Sequence, residues 1–328
     1  MKKILISAPS SIDQIIKTYP MIHLIENEMN PSEINIVVNE TLAPYLSFLE
    51  VKCNIYPLPI KKNTLWGVHH FAYNLKEVFN IDTYFDLIGN IKSGILGQSF
   101  RCIDRVGIRK NKLTPLFINH PKELSLEDSD DFDTFAVKLF SEYLNKNFDD
   151  SIITADKGSL NSTYEGSPFI NIIISNLDLL TEKNNLLKDF FECFDKEVFK
   201  IYIIGDFNKD QIDKRLEDYK KSLSKNNHYF FKTHFDQDEL IKNIKNSIVN
   251  ISEMNWIGTL CSYYGKSSYV FNNENENNCL HHFKTTPNLI NVKDNILNTL
   301  NCGDESIKLN NMAEVADHIY QSFNLVEN

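Results

Sequence analysis

Short apolar runs alternate with segments of helical periodicity along nearly the whole chain, and that alternation limits the fold more than any other feature. Lys3 to Ala8 opens the series, apolar in the manner of a strand buried on both faces. Pro9-Ser10-Ser11 interrupts it, and then Ile12, Ile15, Ile16, Tyr19, Ile22 and Ile25 recur at helical spacing, with Ser11 as N-cap and Gln14 three residues on. Glu33 to Val38 reads as a second strand, Leu42 to Leu49 as a helix and Cys53 to Pro57 as a third strand. Tyr84 to Gly89 is a fourth, followed by a helix from Ile91 to Phe100, and Arg105 to Ile108 is a fifth. A helix from Asp128 to Asn147 turns Phe132, Phe135, Leu139, Phe140 and Tyr143 inward.

The polar stretch from Asp149 to Ser167 breaks this rhythm with Gly158 and Gly166, and marks an interdomain linker. Beyond it the alternation restarts. Strands are expected at Phe169–Ser175, Phe199–Gly205, His228–Lys232, Ser247–Ile251 and Ser267–Phe271, and helices at Leu186–Phe194, Asp210–Ser224, Gln237–Asn246 and Asn255–Tyr264. Alternating strands and helices imply βαβ units, right-handed crossovers and parallel sheets. The expected architecture is therefore α/β: two Rossmann-like domains, residues 1–150 and 168–328, facing across a cleft. The last helix, Met312 to Phe323, is expected to pack back on the first lobe. No internal sequence repeat accompanies this duplication of pattern.

Composition narrows the partners. The 328 residues are 42% hydrophobic and 24% charged, as in globular proteins, and the net charge of −10 speaks against nucleic acid. Six scattered cysteines without a C-x-x-C pair argue for reduced thiols in a cytosol and against a zinc site. The opening MKKILISAPSS carries too short an apolar run for a secretory signal, and no stretch approaches the roughly 18 residues of a membrane span. A cytoplasmic protein is expected. No metal is indicated: the Asp130-Asp131-Phe132-Asp133 cluster reads as a helix cap. The pairs His69-His70 and His281-His282 lack partners at ligand spacing and read as surface or structural residues.

Ligands of open parallel sheets bind beyond the carboxyl ends of the strands. In the first loop, Ser10, Ser11 and Gln14 offer hydroxyl and amide contacts to a ligand. Asp13 there is either a general base or a favourable first-turn charge. In the loop after the fourth strand, Lys92 and Ser93 are candidate contacts to an anionic ligand, because a lysine in a first helical turn opposes the dipole unless an anion is near. Arg101, Arg105, Arg109, Lys110 and Lys112 extend this into a basic stretch. In the second lobe the candidates to hold a phosphate, diphosphate or ribose are Ser175, Asn176, Lys183, Gly205, Ser252, Glu253, Asn255, Gly258 and Thr259; a polar cap with Trp256 in the core is the competing reading of the last five.

Two stretches carry a family resemblance. Ile4-Leu5-Ile6 with Ser10-Ser11-Ile12-Asp13-Gln14 through Tyr19-Pro20, and Phe85-Asp86-Leu87-Ile88-Gly89-Asn90-Ile91-Lys92-Ser93, resemble landmarks of glycosyltransferase family 9, the heptosyltransferase-like enzymes of bacterial lipopolysaccharide core assembly. Arg105-Val106-Gly107 is similar to a further turn of that family. The resemblance implies a GT-B fold, a nucleotide-sugar donor in the C-terminal lobe, and inverting transfer to a glycan or lipopolysaccharide-type acceptor with an aspartate of the first loop as base. The family's Gly-Asp is Asp13-Gln14 here, and its Asp-Thr-Gly donor loop falls near Met254-Asn255-Trp256 without those residues.

Two readings follow. One is a metal-independent glycosyltransferase with Asp13 as base. The other is a catalytically degenerate GT-B-like protein that binds a ligand or a partner. A dehydrogenase is disfavoured, since no G-x-G-x-x-G follows any expected strand. A lipid-linked acceptor would bring the chain to the inner membrane face, with residues 92–112 as the candidate contact.

Overall fold

The computed structural model describes residues 2–49, 52–75, 80–108, 116–122, 132–148, 169–174, 200–205, 229–232, 237–252, 255–272, 283, 288–293, 296–300 and 312–322. The chain divides into two compact units, Met1–Ala155 with His281–Phe283, and Asp156–Leu280 with Lys284–Asn328. The last helix lies in the second.

The first unit holds strands β1 (Lys3–Ser7), β2 (Glu33–Asn39), β3 (Asn54–Leu58), β4 (Thr83–Asp86), β5 (Asp104–Ile108) and β6 (His120–Lys122). They lie in the order β3-β2-β1-β4-β5-β6, with every neighbouring pair parallel. Its helices are α1 (Ile12–Lys17), α2 (Tyr19–Met29), α3 (Leu65–Leu75), α4 (Ile91–Ser99) and α5 (Phe132–Leu144). Consecutive strand residues point to opposite faces, so Tyr84 and Phe85 mark the two layers. Tyr84 joins Leu5, Val37, Val68, Phe71, Ala72 and Leu96 under α3 and α4. Phe85 meets Phe140 and Tyr143 of α5 at ring centroid distances of 5.8 and 5.5 Å. Side chains such as Ile4, Leu5, Ile6 and Phe135 are almost wholly enclosed, each worth about 1.5–3 kcal/mol of apolar burial.

The second unit contains β7 (Phe169–Ile174), β8 (Lys200–Gly205), β9 (Tyr229–Lys232), β10 (Val249–Ser252), β11 (Ser267–Asn272), β12 (Asn288–Lys293) and β13 (Ile296–Leu300). Helices α6 (Gln237–Asn246), α7 (Asn255–Tyr263) and α8 (Met312–Ser322) accompany them. The sheet order is β13-β12-β11-β10-β7-β8-β9. Counted from β7, this is again third-second-first-fourth-fifth-sixth, with β13 added antiparallel at the edge. Both units are thus doubly wound, Rossmann-like sheets.

Several expected elements change form. The single helix expected from Ile12 is two, because Pro20 has no N–H to continue a ladder; α1 ends at Lys17, capped by Thr18, and α2 starts afresh with the proline in its first turn. The helix expected at Leu42–Leu49 is a 3₁₀ turn, Ala43–Phe48, closed by Tyr45 N–H to Leu42 O and Leu49 N–H to Leu46 O. Helix α5 is described from Phe132, and residues 128–131 of the expected helix lie outside the described residues. Strand β6 was not anticipated: three residues, His-Pro-Lys, have no apolar run, and Pro121 is tolerated on a sheet edge. Helix α3 and strands β12 and β13 were not anticipated either. The helices expected at 186–194 and 210–224 lie outside the described residues.

Candidate functional site

Strand β1 is hydrogen-bonded to β2 on one side and β4 on the other, so the crevice beyond the carboxyl ends of β1 and β4 is the topological switch point of the first sheet. Asp86, the last residue of β4, is 2% exposed there. Its Oδ1 accepts hydrogen bonds from the Gly89 and Ile88 backbone N–H groups at 2.9 and 3.0 Å and from the Ser7 hydroxyl at 3.2 Å. Its Oδ2 accepts from the Ser93 hydroxyl at 2.8 Å. Burial pushes this carboxyl above the usual aspartate range, and the bonds from Gly89, Ser93, Ile88 and Ser7 oppose that shift. One carboxylate therefore ties the end of β1 to the loop after β4 and to the first turn of α4.

That turn is fixed twice over. Asn90 caps α4, accepting from the Ser93 N–H at 3.0 Å, while the Ser93 hydroxyl accepts from the Asn90 N–H at 3.0 Å. Tyr84 donates to the Ser93 carbonyl at 2.7 Å, and burial drives its phenol well above the ordinary value, with Asp86 adding to the shift. Helix α4 can sit this close because position 97 is glycine: a Cβ there would lie within 3.0 Å of the Tyr84 ring. Ser93 is thus buried, with its hydroxyl occupied inside the fold. Lys92 reaches back instead, its Nζ donating to the Asn63 carbonyl at 2.9 Å and the Asn63 side-chain oxygen at 3.3 Å.

In the first loop Ser11 is extended, with φ −121° and ψ 149°, and its hydroxyl accepts from the Gln14 N–H at 3.3 Å. Ser10 and Ser11 are exposed. Asp13 makes a 2.9 Å ion pair with Lys17 one turn on; Asp13 is 24% exposed and Lys17 only 8%. The two readings of Asp13 meet in this geometry: its carboxylate balances a nearly buried ammonium and remains reachable from solvent. Within the basic stretch, Arg105 donates to the carbonyls of Phe117 and Cys102 at 2.6 and 2.7 Å. Arg109, Lys110 and Lys112 lie outside the described residues.

The switch point of the second sheet falls between β7 and β10, whose register pairs Ser252 with Ile173. Ser252 ends β10 and is 1% exposed. Asn255 opens α7, which places Gly258 and Thr259 in the second turn of that helix, both buried; the Gly258 carbonyl accepts from the Ser262 hydroxyl at 3.1 Å. Gly205 ends β8, opposite Ile174. Ser175, Asn176, Lys183 and Glu253 lie outside the described residues. In sequence, Ser175-Asn176 directly follows β7 and Glu253 directly follows β10, so these candidates leave the two strands that flank this switch point.

Sequence reasoning missed the role of Asp86 and Ser7. A buried-strand pattern ending in Asp, with Gly and Asn-x-x-Ser after it, was the available signal. Cys53, Cys102 and Cys261 are free, and burial pushes the Cys102 thiol up to about 12. Among the described residues, no three histidine, cysteine, aspartate or glutamate side chains converge as a metal site would require, and no helix is long and apolar enough to cross a membrane.

No protein-family model matches the chain, and no curated protein does. Solved structures do. The E. coli heptosyltransferase WaaC with ADP-2-deoxy-2-fluoro heptose superposes with a TM-score of 0.69 at 12% identity, over 99% of this chain and 100% of that one. A glycosyl transferase family 9 protein from Veillonella parvula gives 0.65 at 11% identity, over 100% and 90%. The UDP-GlcNAc 2-epimerase from Methanocaldococcus jannaschii gives 0.50 at 13%, over 99% and 100%. The chain has the GT-B-like fold of the heptosyltransferases from end to end.

Proposed function

We propose that this protein is a glycosyltransferase that moves a sugar from a nucleotide-sugar donor to a glycan or lipopolysaccharide-type acceptor. The observation that carries the reading is the end-to-end likeness to a heptosyltransferase seen with a nucleotide-sugar analogue, in a chain whose two units repeat the same doubly wound strand order. Fold alone does not assign chemistry. The first-loop and post-β4 residues supply the further support.

In the proposed reaction the acceptor lies against Ser10, Ser11 and Gln14. The Asp13 carboxylate takes the acceptor hydroxyl proton, and the oxygen attacks the anomeric carbon from the face opposite the nucleotide. The nucleoside diphosphate departs with the bonding pair, and configuration inverts. Lys17 fixes the rotamer of Asp13, and Asp86 with Ser93 holds the loop that presents Lys92. Ser175, Asn176, Lys183, Gly205, Ser252, Glu253, Asn255, Gly258 and Thr259 mark the donor side, with Lys183 available to the leaving diphosphate. The proposal needs no metal, and it places the protein in the cytoplasm with its acceptor at the inner membrane face.

The test is nucleoside-diphosphate release and product formation over a donor panel with a lipid-linked glycan acceptor. Asp13→Ala is expected to lower turnover of the folded fraction by at least about 100-fold, and also to lower the melting temperature, because it leaves the nearly buried Lys17 ammonium unpaired. Full turnover in that variant removes Asp13 as the base. A second reading, a GT-B-like binding protein without catalysis, is favoured by the Asp13–Lys17 ion pair and by Gln14 at the family's base position. Nucleotide binding with no turnover for any donor would select it.

A further inference from the structure

Seven large apolar side chains are exposed among the described residues, and five of them belong to one part of the first unit: Ile60 (55%), Leu65 (48%), Trp66 (76%), Tyr73 (49%) and Ile91 (42%). Helix α3 does not need them for packing, because its inner face is already supplied by Val68, Phe71 and Ala72. The outer face is an aromatic stripe at helical spacing. Trp66 stands 6.2 Å from the His69 ring and 6.5 Å from that of His70, and Tyr73 stands 6.1 Å from His69.

The 3₁₀ turn at Ile60–Lys62 is folded onto the start of this helix. Position 67 is glycine, where a Cβ would meet the Lys62 Cα at 2.7 Å. Glu40 accepts the Ile60 N–H at 3.0 Å and pins the turn from the other side. The bonds from Lys92 to Asn63 bring the start of α4, with Ile91, to the same place. Lys61 and Lys62 are exposed beside Leu65 and Trp66. In a chain with 44 acidic residues, none occurs in 59–75 or in 87–103.

We propose that this surface, residues 60–66 with Tyr73 and Ile91, docks on an anionic lipid bilayer. Tryptophan and tyrosine favour the headgroup level of a membrane, aliphatic tips enter below it, and flanking lysines meet lipid phosphates. The stretches that form it carry no acid of their own, although Glu40 reaches the Ile60 N–H, and this local scarcity of acid helps a protein of net charge −10 approach such a surface. The surface adjoins the loop after β4 that the proposed function gives to the acceptor, and it deepens that reading by holding the chain where a lipid-linked acceptor is anchored.

The experiment uses the full chain without nucleotide. The protein has two tryptophans, so Trp256→Phe leaves Trp66 as the reporter. With phosphatidylcholine–phosphatidylglycerol vesicles, Trp66 emission should shift to the blue and the protein should co-sediment, several-fold less at high salt. Leu65→Ser with Trp66→Ser should weaken co-sedimentation by at least about tenfold at unchanged melting temperature. Lys61→Glu with Lys62→Glu should abolish the preference over pure phosphatidylcholine. No binding, or binding indifferent to both variants, overturns the proposal. So does a Trp66 emission already blue without vesicles that reverts on dilution, which would assign the surface to a second copy. Vesicle binding without sugar transfer would reject the transferase reading alone, and transfer to a soluble acceptor without vesicle binding would reject the docking surface alone.

Discussion

The two sheets repeat one strand order, and among the described residues a side-chain bond joins the two central strands of each at a different height. In the first, the polar bridge is at the ligand end, where Ser7 of β1 meets Asp86 of β4 and Asp86 gathers two loop N–H groups and the Ser93 hydroxyl. In the second, the corresponding central strands are bridged lower down. Asn171 of β7 donates to Asn250 of β10 and to the Asn243 carbonyl of α6, both at 2.9 Å, two residues before β10 ends. A bridge at the ligand end fixes the geometry of the loops that meet a substrate. A bridge lower down secures strand register and helix packing only.

Asp86→Ala should have the largest effect. It leaves two hydroxyls and two N–H groups without their acceptor in a buried site, at a cost of about 3–5 kcal/mol, and it should reduce transfer by displacing the Lys92 loop. Melting curves and turnover at saturating donor check both halves. Asn171→Ala should cost less, about 1–2 kcal/mol, and leave turnover of the folded fraction unchanged. Equal losses of turnover in the two variants would break the contrast between the bridges.

The smallest effect concerns the opposite edge of the first sheet. Asp104, at the amino end of β5, accepts from the Tyr143 hydroxyl at 2.8 Å and faces His120 Nε2 at 3.1 Å. Burial raises its carboxyl, but the Tyr143 and His120 hydrogen bonds outweigh that and hold it below the usual range. A depressed carboxyl stabilises the fold above the ordinary aspartate pKa and loses that contribution as pH falls through its folded value. Asp104→Asn should therefore melt about a degree or two below the parent at neutral pH, with the gap closing below about pH 4. A gap that widens in acid would refute the assignment.

The alternation of apolar runs and helical segments carried most of the fold. KILIS, EINIVVN and FINIII are strands on both scales, local and global, so reading them needed no tertiary information. Elements whose existence depends on neighbours were not legible. His120-Pro121-Lys122 is a strand only because β5 offers an edge, and α3 shows no clean stripe because Trp66 and Tyr73 put aromatic surface on its outer side. At the site, Asp13, Lys92 and Ser93 were visible as residue types at strand ends. Which side chains are committed inward was not, since a sequence does not say that Lys92 folds back on Asn63 or that Ser93 is spent on Asp86.

The most direct test of the central claim is a thermal-shift titration of the full chain with nucleoside diphosphates and their sugar conjugates. A nucleotide-sugar enzyme predicts stabilisation by one nucleotide family, about 2.7 kcal/mol at a hundredfold excess over Kd, lost on Lys183→Ala. No stabilisation by any nucleotide or nucleotide sugar would contradict the account.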